Sequence, residues 1–241
     1  KWKNNMASKL GPNIVTNGLV FAVDAAASRS YPGSGTTLYD LSGNGYDFTS
    51  SVPCTFTSGV NSVPCLDFTS GNQERLDSIK LSPFSGDGFP ITVSAVINEN
   101  ARSSYKTILS QHQEDGNDSM SFCSLQGKMG TDHWSPGGRR LTTAVPTNEV
   151  HMITWTIEEW EQHQTTQHKI YVDGVAQSTE SYSVDTVGSL VQDYFRIGNW
   201  HFTRADMSFD GQIYSVSCYD RALSAAEVAQ NYNAVKKRFN I

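Results

Sequence analysis

HMITWTI, His151 to Ile157, alternates strictly: Ile153, Trp155 and Ile157 fall on one side, Thr154 and Thr156 on the other. That is a period of two, the pattern of a β-strand with one apolar face, not the 3.6-residue period of a helix. ITVSAVI repeats it, with Ile91, Val93, Ala95 and Ile97 on one face and Thr92 and Ser94 opposite. LVFAVDA (Leu19 to Ala25) is a continuous apolar run, suited to a strand buried on both faces. KIYVDGVAQ reads as a hairpin, because Asp173-Gly174 supplies the positive φ values that a tight turn requires.

CLDF, KTILS, SFCSL, YFRIG and FDGQIYSVSCY extend the series. Strands at this density, separated by Gly- and Pro-rich turns, predict an all-β chain: a sandwich of two antiparallel sheets. No linker is long enough to separate two domains. RALSAAEVAQNYNAVKK breaks the pattern. Ser224 is placed to cap a helix, Glu227 to complete a capping box, and Leu223 to staple against Val228. A short C-terminal helix of about three turns is expected over residues 224–237, with Val228 and Tyr232 on its apolar face.

The 241 residues are 38% hydrophobic and 17% charged, with 19 Gly and a net charge of −6. This length carries an ample core, so folding should not depend on disulfides. A mildly acidic chain without a long Lys/Arg run is a poor candidate for nucleic-acid binding; KKRF, Lys236 to Phe239, is too short to change that. No apolar run approaches membrane-spanning length. The segment KWKNNMASKLGPN lacks the apolar core of a signal peptide. Its internal MASK reads like a translation start preceded by Lys1 to Asn5, so the chain is either a processed product or part of a longer one. Residues 1–16 are expected as an N-terminal extension that meets a partner through Trp2, with a frayed end lying on its own domain as the alternative, and residues 17–241 as the sandwich domain.

SVPC occurs twice, ending at Cys54 and Cys65, around the turn-prone TSGVN. The two segments could pair as a hairpin and bring the thiols together. Nothing signals an oxidising compartment, so Cys54, Cys65, Cys123 and Cys218 are expected as free, buried thiols.

DLSGNGYD, Asp40 to Asp47, opens like an EF-hand loop, with oxygen side chains at Asp40, Ser42 and Asn44 and then Gly45. The twelfth position is Ser51, where a bidentate Glu is needed, and neither flank has a helical stripe. Asn-Gly and Ser-Gly favour a turn. A surface turn is the expected reading.

These stretches together resemble the laminin-G-like branch of the concanavalin A-like lectin/glucanase superfamily. The resemblance is carried by GLVFAVDAAASRSYPGSGTTLYDLSGNGYDFT, KIYVDGVAQ, YFRIGN and FDGQIYSVSCYDRALSAAEVAQNYNAVKKRF, from Asn17 to Phe239. SYPGSGTTLYDLSGNG is also similar to domains found widely in bacteriophage tail-fibre and other virion proteins. The resemblance implies a jelly roll of two curved sheets and a surface turn at DLSGNG.

Glucanases of this superfamily carry paired carboxylates as E-x-D-x-x-E on one strand. The nearest stretch here, TIEEWEQ, has Glu158 and Glu161 at the outer spacing but Trp160 in place of the Asp. Residues three apart on a strand also point to opposite faces. No nucleophile-elbow sequence occurs, and a non-enzymatic chain is expected. QEDGND offers Glu114, Asp115, Asn117 and Asp118 as calcium ligands, with a solvated acidic turn as the alternative. Asp210 is the second metal candidate, against an Asp-Gly bulge. No cofactor is expected beyond such a structural calcium.

Sugar binding needs flat aromatic faces beside hydrogen-bonding groups. Two loops offer them: His133, Trp134 and Arg139 in DHWSPGGRR, and Trp200, His201 and Arg204 in NWHFTRAD. The alternative is that these aromatics pin loops to the sandwich or pack on a neighbouring subunit. The expected role is a virion structural protein of a bacteriophage, decorating the capsid or built into a tail fibre. It would be made in the host cytoplasm, present in several copies among other virion proteins, and able to bind glycans. A bacterial cell-surface carbohydrate-binding module is the alternative, and a glycan hydrolase with an unrecognised site stands third.

Overall fold

The strand read at His151 to Ile157 forms, and its neighbour is the strand read at Ile91 to Ile97. Ile153 lies opposite Ala95, Trp155 opposite Val93 and Ile157 opposite Ile91. The apolar faces of the two strands therefore lie on the same side of one sheet. The structure is a computed structural model; it describes residues 13–86, 88–100, 105–111, 120–125, 128–133, 138–160, 168–181, 193–200 and 205–241. Within these, the side chains at 51, 132, 133, 138–143, 159, 160 and 179–181 are not described.

In chain order the strands begin with β1 (Leu19–Asp24), β2 (Thr37–Leu38), β3 (Phe48–Val52), β4 (Thr55–Ser58), β5 (Pro64–Phe68) and β6 (Arg75–Leu81). They continue with β7 (Phe89–Glu99), β8 (Lys106–Gln111), β9 (Met120–Leu125), β10 (Lys128–His133), β11 (Gly138–Ala144) and β12 (Val150–Trp160). The last are β13 (His168–Val172), β14 (Val175–Ala176), β15 (Thr179–Ser181), β16 (Tyr194–Ile197) and β17 (Gly211–Tyr219), followed by helix α1 (Ala225–Phe239). Eight strands form one sheet in the order β14-β13-β12-β7-β17-β5-β4, with β1 also on β17. Nine form the other, in the order β15-β11-β10-β9-β8-β16-β6-β3-β2. Every pairing among the described residues is antiparallel.

The inner faces of the two sheets share one aromatic core. Phe21 of the eight-stranded sheet lies 5.0 Å, ring to ring, from both Phe48 and Phe195 of the nine-stranded sheet. Trp155 meets Phe122 edge-on at 5.6 Å. The outer face of the eight-stranded sheet is covered by α1. Val96, Met152 and Tyr214 pack with Phe239, and Tyr171 and Tyr219 pack with Leu223 and Val228.

The helix starts as its cap predicts. Ser224 Oγ accepts from Glu227 N–H at 3.4 Å, and Glu227 Oε2 accepts from Ser224 N–H at 2.9 Å. It runs to Phe239, two residues past the expected end at 237 and closer to four turns than three. Phe239 is held edge-on against Tyr214 at 5.1 Å, and Lys236, Lys237 and Arg238 suit the negative end of the helix dipole.

Arg221 clamps Glu227 from the preceding loop, at 2.6 Å and 2.9 Å. This pair, helped by Ser224 N–H, holds the Glu227 carboxyl at about 2, below its ordinary 4.5. A depressed carboxyl stabilises the fold fully above 4.5, and that contribution is lost as pH falls towards 2. Glu227→Ala should cost about 0.5–2 kcal/mol at neutral pH, as loss of a cap does. It should also flatten the decline of stability across that acid window. Urea unfolding of both proteins as a function of pH measures this, and parallel profiles would refute it.

Asn13 to Asn17 lie against the helix and its leading loop. Asn231 Oδ1 accepts from Val15 N–H at 2.8 Å, Tyr219 donates to Val15 O, and Gln230 donates to Asn13 O. Val15 is buried beside Tyr219 and Leu223. For residues 13–17 this is the alternative of the two readings, a chain end lying on its own domain, and Ile14 lines a pocket with Asn231 and Val235 of the helix. Trp2 and the rest of residues 1–12 lie outside the described residues.

The SVPC repeat forms the expected hairpin, β4 on β5, but the register separates the thiols. Cys65 sits opposite Thr57, while Cys54 precedes the first paired residue, Thr55. Cys54 belongs to the core between the sheets and Cys65 to the layer under the helix. All four cysteines are buried thiols outside any disulfide. Burial is the main cause that pushes the thiols of Cys54 and Cys65 up to about 12, and it raises Cys218 well above its ordinary value.

The side-chain oxygens of Asp40 and Ser42 in DLSGNG are spent on the protein itself. Asp40 Oδ1 accepts from Ala22 N–H at 3.0 Å and Ser42 N–H at 2.9 Å. Its Oδ2 accepts from Ser42 Oγ–H at 2.6 Å and Tyr46 N–H at 3.2 Å. Asn44 Nδ2 donates to Leu19 O and Val20 O, at 2.9 Å each. The turn is stapled to β1, with Gly43 and Gly45 taking positive φ of 90° and 78°.

Candidate functional site

The carboxylate candidates do not assemble. Glu158 follows the core residue Ile157 on β12, points outward, and pairs with Lys169 of β13 at 3.1 Å. The side chain of Glu159 is not described, and Glu161 lies outside the described residues. Glu114, Asp115, Asn117 and Asp118 also lie outside them.

Asp210 ends a loop at the start of β17. Its carboxylate accepts from Asn100 Nδ2 at 3.1 Å, and its carbonyl accepts from Asn100 N–H at 2.9 Å. Gly211 has φ of +134°, and a Cβ there would stand 2.2 Å from Asn98 O, so the crossing of the two chains demands glycine. Asp67 lies nearby; burial first, and then the Asp210 charge, raise its carboxyl. Among the described residues no three His, Cys, Asp or Glu side chains converge.

The two expected aromatic platforms have different fates. His133 ends β10 and Arg139 lies on the adjacent β11, with His133 opposite Gly138 and Arg139 opposite Asp132. Their side chains are not described, and Trp134 lies outside the described residues. Trp200 is 5% exposed and packs with Tyr105, Cys123 and Met207. This corrects its expected role as an open stacking face: the indole is packed against Cys123 of the nine-stranded sheet and the neighbouring Tyr105 and Met207. His201 and Arg204 lie outside the described residues.

An open groove of about 430 Å³ forms elsewhere, between the loop after β1 and the β4–β5 hairpin. Tyr31 and Phe56 stack in it, with ring centroids 3.6 Å apart and planes inclined by 7°. Both rings are half-buried against the core, and Ser28, Thr57, Ser58 and Pro32 line the space around them. The loop is rigidly tied. Ser30 and Tyr31 N–H both donate to Ala27 O at 2.8 Å, and Ser30 Oγ donates to Tyr39 O at 2.7 Å. Arg238, at the end of α1, holds Asp24 at 2.7 Å. A flat aromatic floor with hydroxyls at its rim suits the mixed apolar and hydroxylated surface of a sugar.

On the outer face of the nine-stranded sheet, β6 and β16 carry a second polar cluster. Arg196 Nε donates to Asp77 Oδ1 at 2.6 Å, and Arg75 Nε lies 3.6 Å from Asp77 Oδ2. Burial, and then repulsion from Arg196, lower the Arg75 guanidinium from its ordinary value. Tyr194, two residues before Arg196, is 46% exposed.

The Laminin_G_3 family model, of the concanavalin A-like lectin/glucanases superfamily, matches residues 70–229. The chain belongs to this family. Its sandwich is similar to domain 4 of AbnA, a GH43 extracellular arabinanase from Geobacillus stearothermophilus, solved in complex with arabinotriose. That match has a TM-score of 0.61 at 16% identity and covers 89% of this chain and 98% of that domain. It is also similar to the binding domain of Paraclostridial Mosquitocidal Protein 1, with a TM-score of 0.62 at 14% identity over 91% of this chain and 52% of that one. A third likeness is to the botulinum neurotoxin serotype D ligand binding domain in complex with N-acetylneuraminic acid, with a TM-score of 0.57 at 13% identity. It covers 90% of this chain and 51% of that one. The chain thus spans nearly all of the arabinanase domain and about half of each toxin domain. No curated protein sequence matches it.

Within this laminin-G-like sandwich, neither the groove nor the arginine cluster was read from the sequence. SYPGSG holds a tyrosine next to Pro-Gly in a loop, a signal for an exposed ring. Its stacking partner Phe56 stands 25 positions on, in a short edge strand with no spacing that links the two. In YFRIG, the alternation around Phe195 does place Tyr194 and Arg196 on the outward side.

Proposed function

We propose that this chain is a non-catalytic carbohydrate-binding module of a bacteriophage virion, present on the capsid or in a tail fibre. The groove floored by the Tyr31–Phe56 stack carries the glycan-binding part of this reading. Two similar sandwiches, solved with arabinotriose and with N-acetylneuraminic acid, support it. The virion part is supported by the resemblance of the SYPGSGTTLYDLSGNG segment to phage structural domains. In this reading residues 1–12, with Trp2, attach the module to other virion subunits. The match over nearly the full length of an extracellular arabinanase domain favours the second reading, a bacterial cell-surface carbohydrate-binding module.

Binding of the whole chain to an array of neutral and acidic glycans tests the first part, with Tyr31→Ala as the control variant. Loss of the Tyr31 ring is expected to weaken retention about tenfold, which corresponds to about 1.4 kcal/mol. Retention of no glycan, or equal retention by Tyr31→Ala, would overturn the groove as a sugar site. Mass spectrometry of purified particles tests the second part: the chain should co-purify with capsid or tail subunits at fixed stoichiometry, and its absence from particles refutes it.

A further inference from the structure

On the outer face of the nine-stranded sheet, two described arginines meet at one carboxylate. Arg75 and Arg196 approach the single carboxylate of Asp77, brought together because β16 pairs with β6 and sets Arg196 opposite Asp77. The two guanidinium side chains are only 15% and 16% exposed, so water compensates them poorly. Arg75 Nη1 donates to Gln73 O at 3.3 Å, whereas Arg196 Nη1 is buried with no acceptor among the described residues. An arginine cannot lose its proton to escape this cost, and its planar fork matches the two oxygens of an anion.

The surroundings say what kind of anion fits. Tyr194 and Arg196 flank the fully buried Phe195 on β16, so both side chains leave the sheet on the outer side. Leu81 lies directly opposite Tyr194 and is 40% exposed; Ile79, nearby on β6, is 61% exposed. A cationic fork thus stands beside an open, flat apolar surface. A free inorganic anion would use only the fork. An anionic group borne on a body with an apolar face would use both.

We propose that Arg75, Arg196 and Tyr194 form a second binding site, for an acidic saccharide whose carboxylate or sulfate group takes the guanidinium fork. The site shares no residue with the Tyr31–Phe56 groove and goes beyond the reading given for it. Charge-assisted contacts supply the selectivity over neutral sugars.

The test titrates the full chain with glucuronate, N-acetylneuraminate, a sulfated N-acetylglucosamine, neutral N-acetylglucosamine and inorganic sulfate, read by calorimetry and by NMR shifts. At least one acidic sugar should bind at least about tenfold more tightly than the neutral one and than inorganic sulfate. Comparison of the carboxylate and sulfate arms identifies the group. Arg196→Gln should abolish that preference, and Tyr194→Ala should reduce acidic-sugar binding to the level of the inorganic ion. Tyr31→Ala should leave it unchanged, which keeps failure here distinct from failure of the groove. If Arg196→Gln does not fold, Arg196→Lys retains the charge on Asp77 without the fork and should also lose the preference. Wild-type affinity in the folded Arg196 variant, equal binding of acidic and neutral sugars, or no binding of any anion each overturns the proposal.

Discussion

Trp155→Ala is expected to lower the free energy of unfolding by about 3–5 kcal/mol, the range for removing a large aromatic from a packed core. The side chain is fully buried at the centre of β12, opposite Val93 and edge-on to Phe122 of the facing sheet. Its loss leaves a void between two sheets that are each tied along their length by hydrogen bonds, so the walls have little freedom to collapse inward. The indole Nε1–H has no acceptor among the described residues. Trp155→Phe should therefore cost much less, because it keeps a ring against Phe122 while removing a buried donor worth about 1–3 kcal/mol when unpaired. Denaturant unfolding at constant m-value measures both. A Trp155→Ala protein within about 1 kcal/mol of the parent would mean that the sheets close over the gap, contrary to this account.

Asp40→Ala comes next in size. Its carboxylate gathers three backbone N–H groups, from Ala22, Ser42 and Tyr46, and the Ser42 hydroxyl. Ala22 lies inside β1 and is 7% exposed, so its orphaned donor finds no water. That donor alone costs about 1–3 kcal/mol. Asp40→Asn retains one acceptor oxygen but turns the other into an amide that faces a donor, and should fall between parent and alanine variant. Added calcium should restore neither, because the oxygens that imitate a calcium loop act as acceptors for the chain itself. Thermal unfolding with and without calcium decides this, and calcium-dependent rescue of Asp40→Asn would sink the hydrogen-bond explanation.

Much of the architecture was legible because its signals are local. The capping box at Ser224 and Glu227 appears as read. The Asp173-Gly174 turn takes φ of 51° and 77° and joins β13 to β14. The DLSGNG segment turns as its glycines require. The end of α1 at Phe239 was missed, since the contact that extends it, on Tyr214, is made across 25 residues of chain. Trp200 is a large loop aromatic, yet whether such a ring is open or pinned depends on Tyr105, just before β8, and Cys123 of β9.

The alternation of HMITWTI determined by itself which side chains share a face, because successive Cβ atoms in a strand point in opposite directions whatever surrounds them. It did not determine what covers each face. Thr154 and Thr156, polar and expected opposite the core, are 1% and 3% exposed, and Thr154 shares a 2.8 Å hydrogen bond with Ser94. They lie on the face of the sheet that α1 covers. The same limit applies to Arg75 and Arg196: 121 positions separate them, and they meet only because β6 and β16 pair. Facing is a property of a few consecutive residues, whereas cover and partnership belong to strands that find each other only in the folded chain.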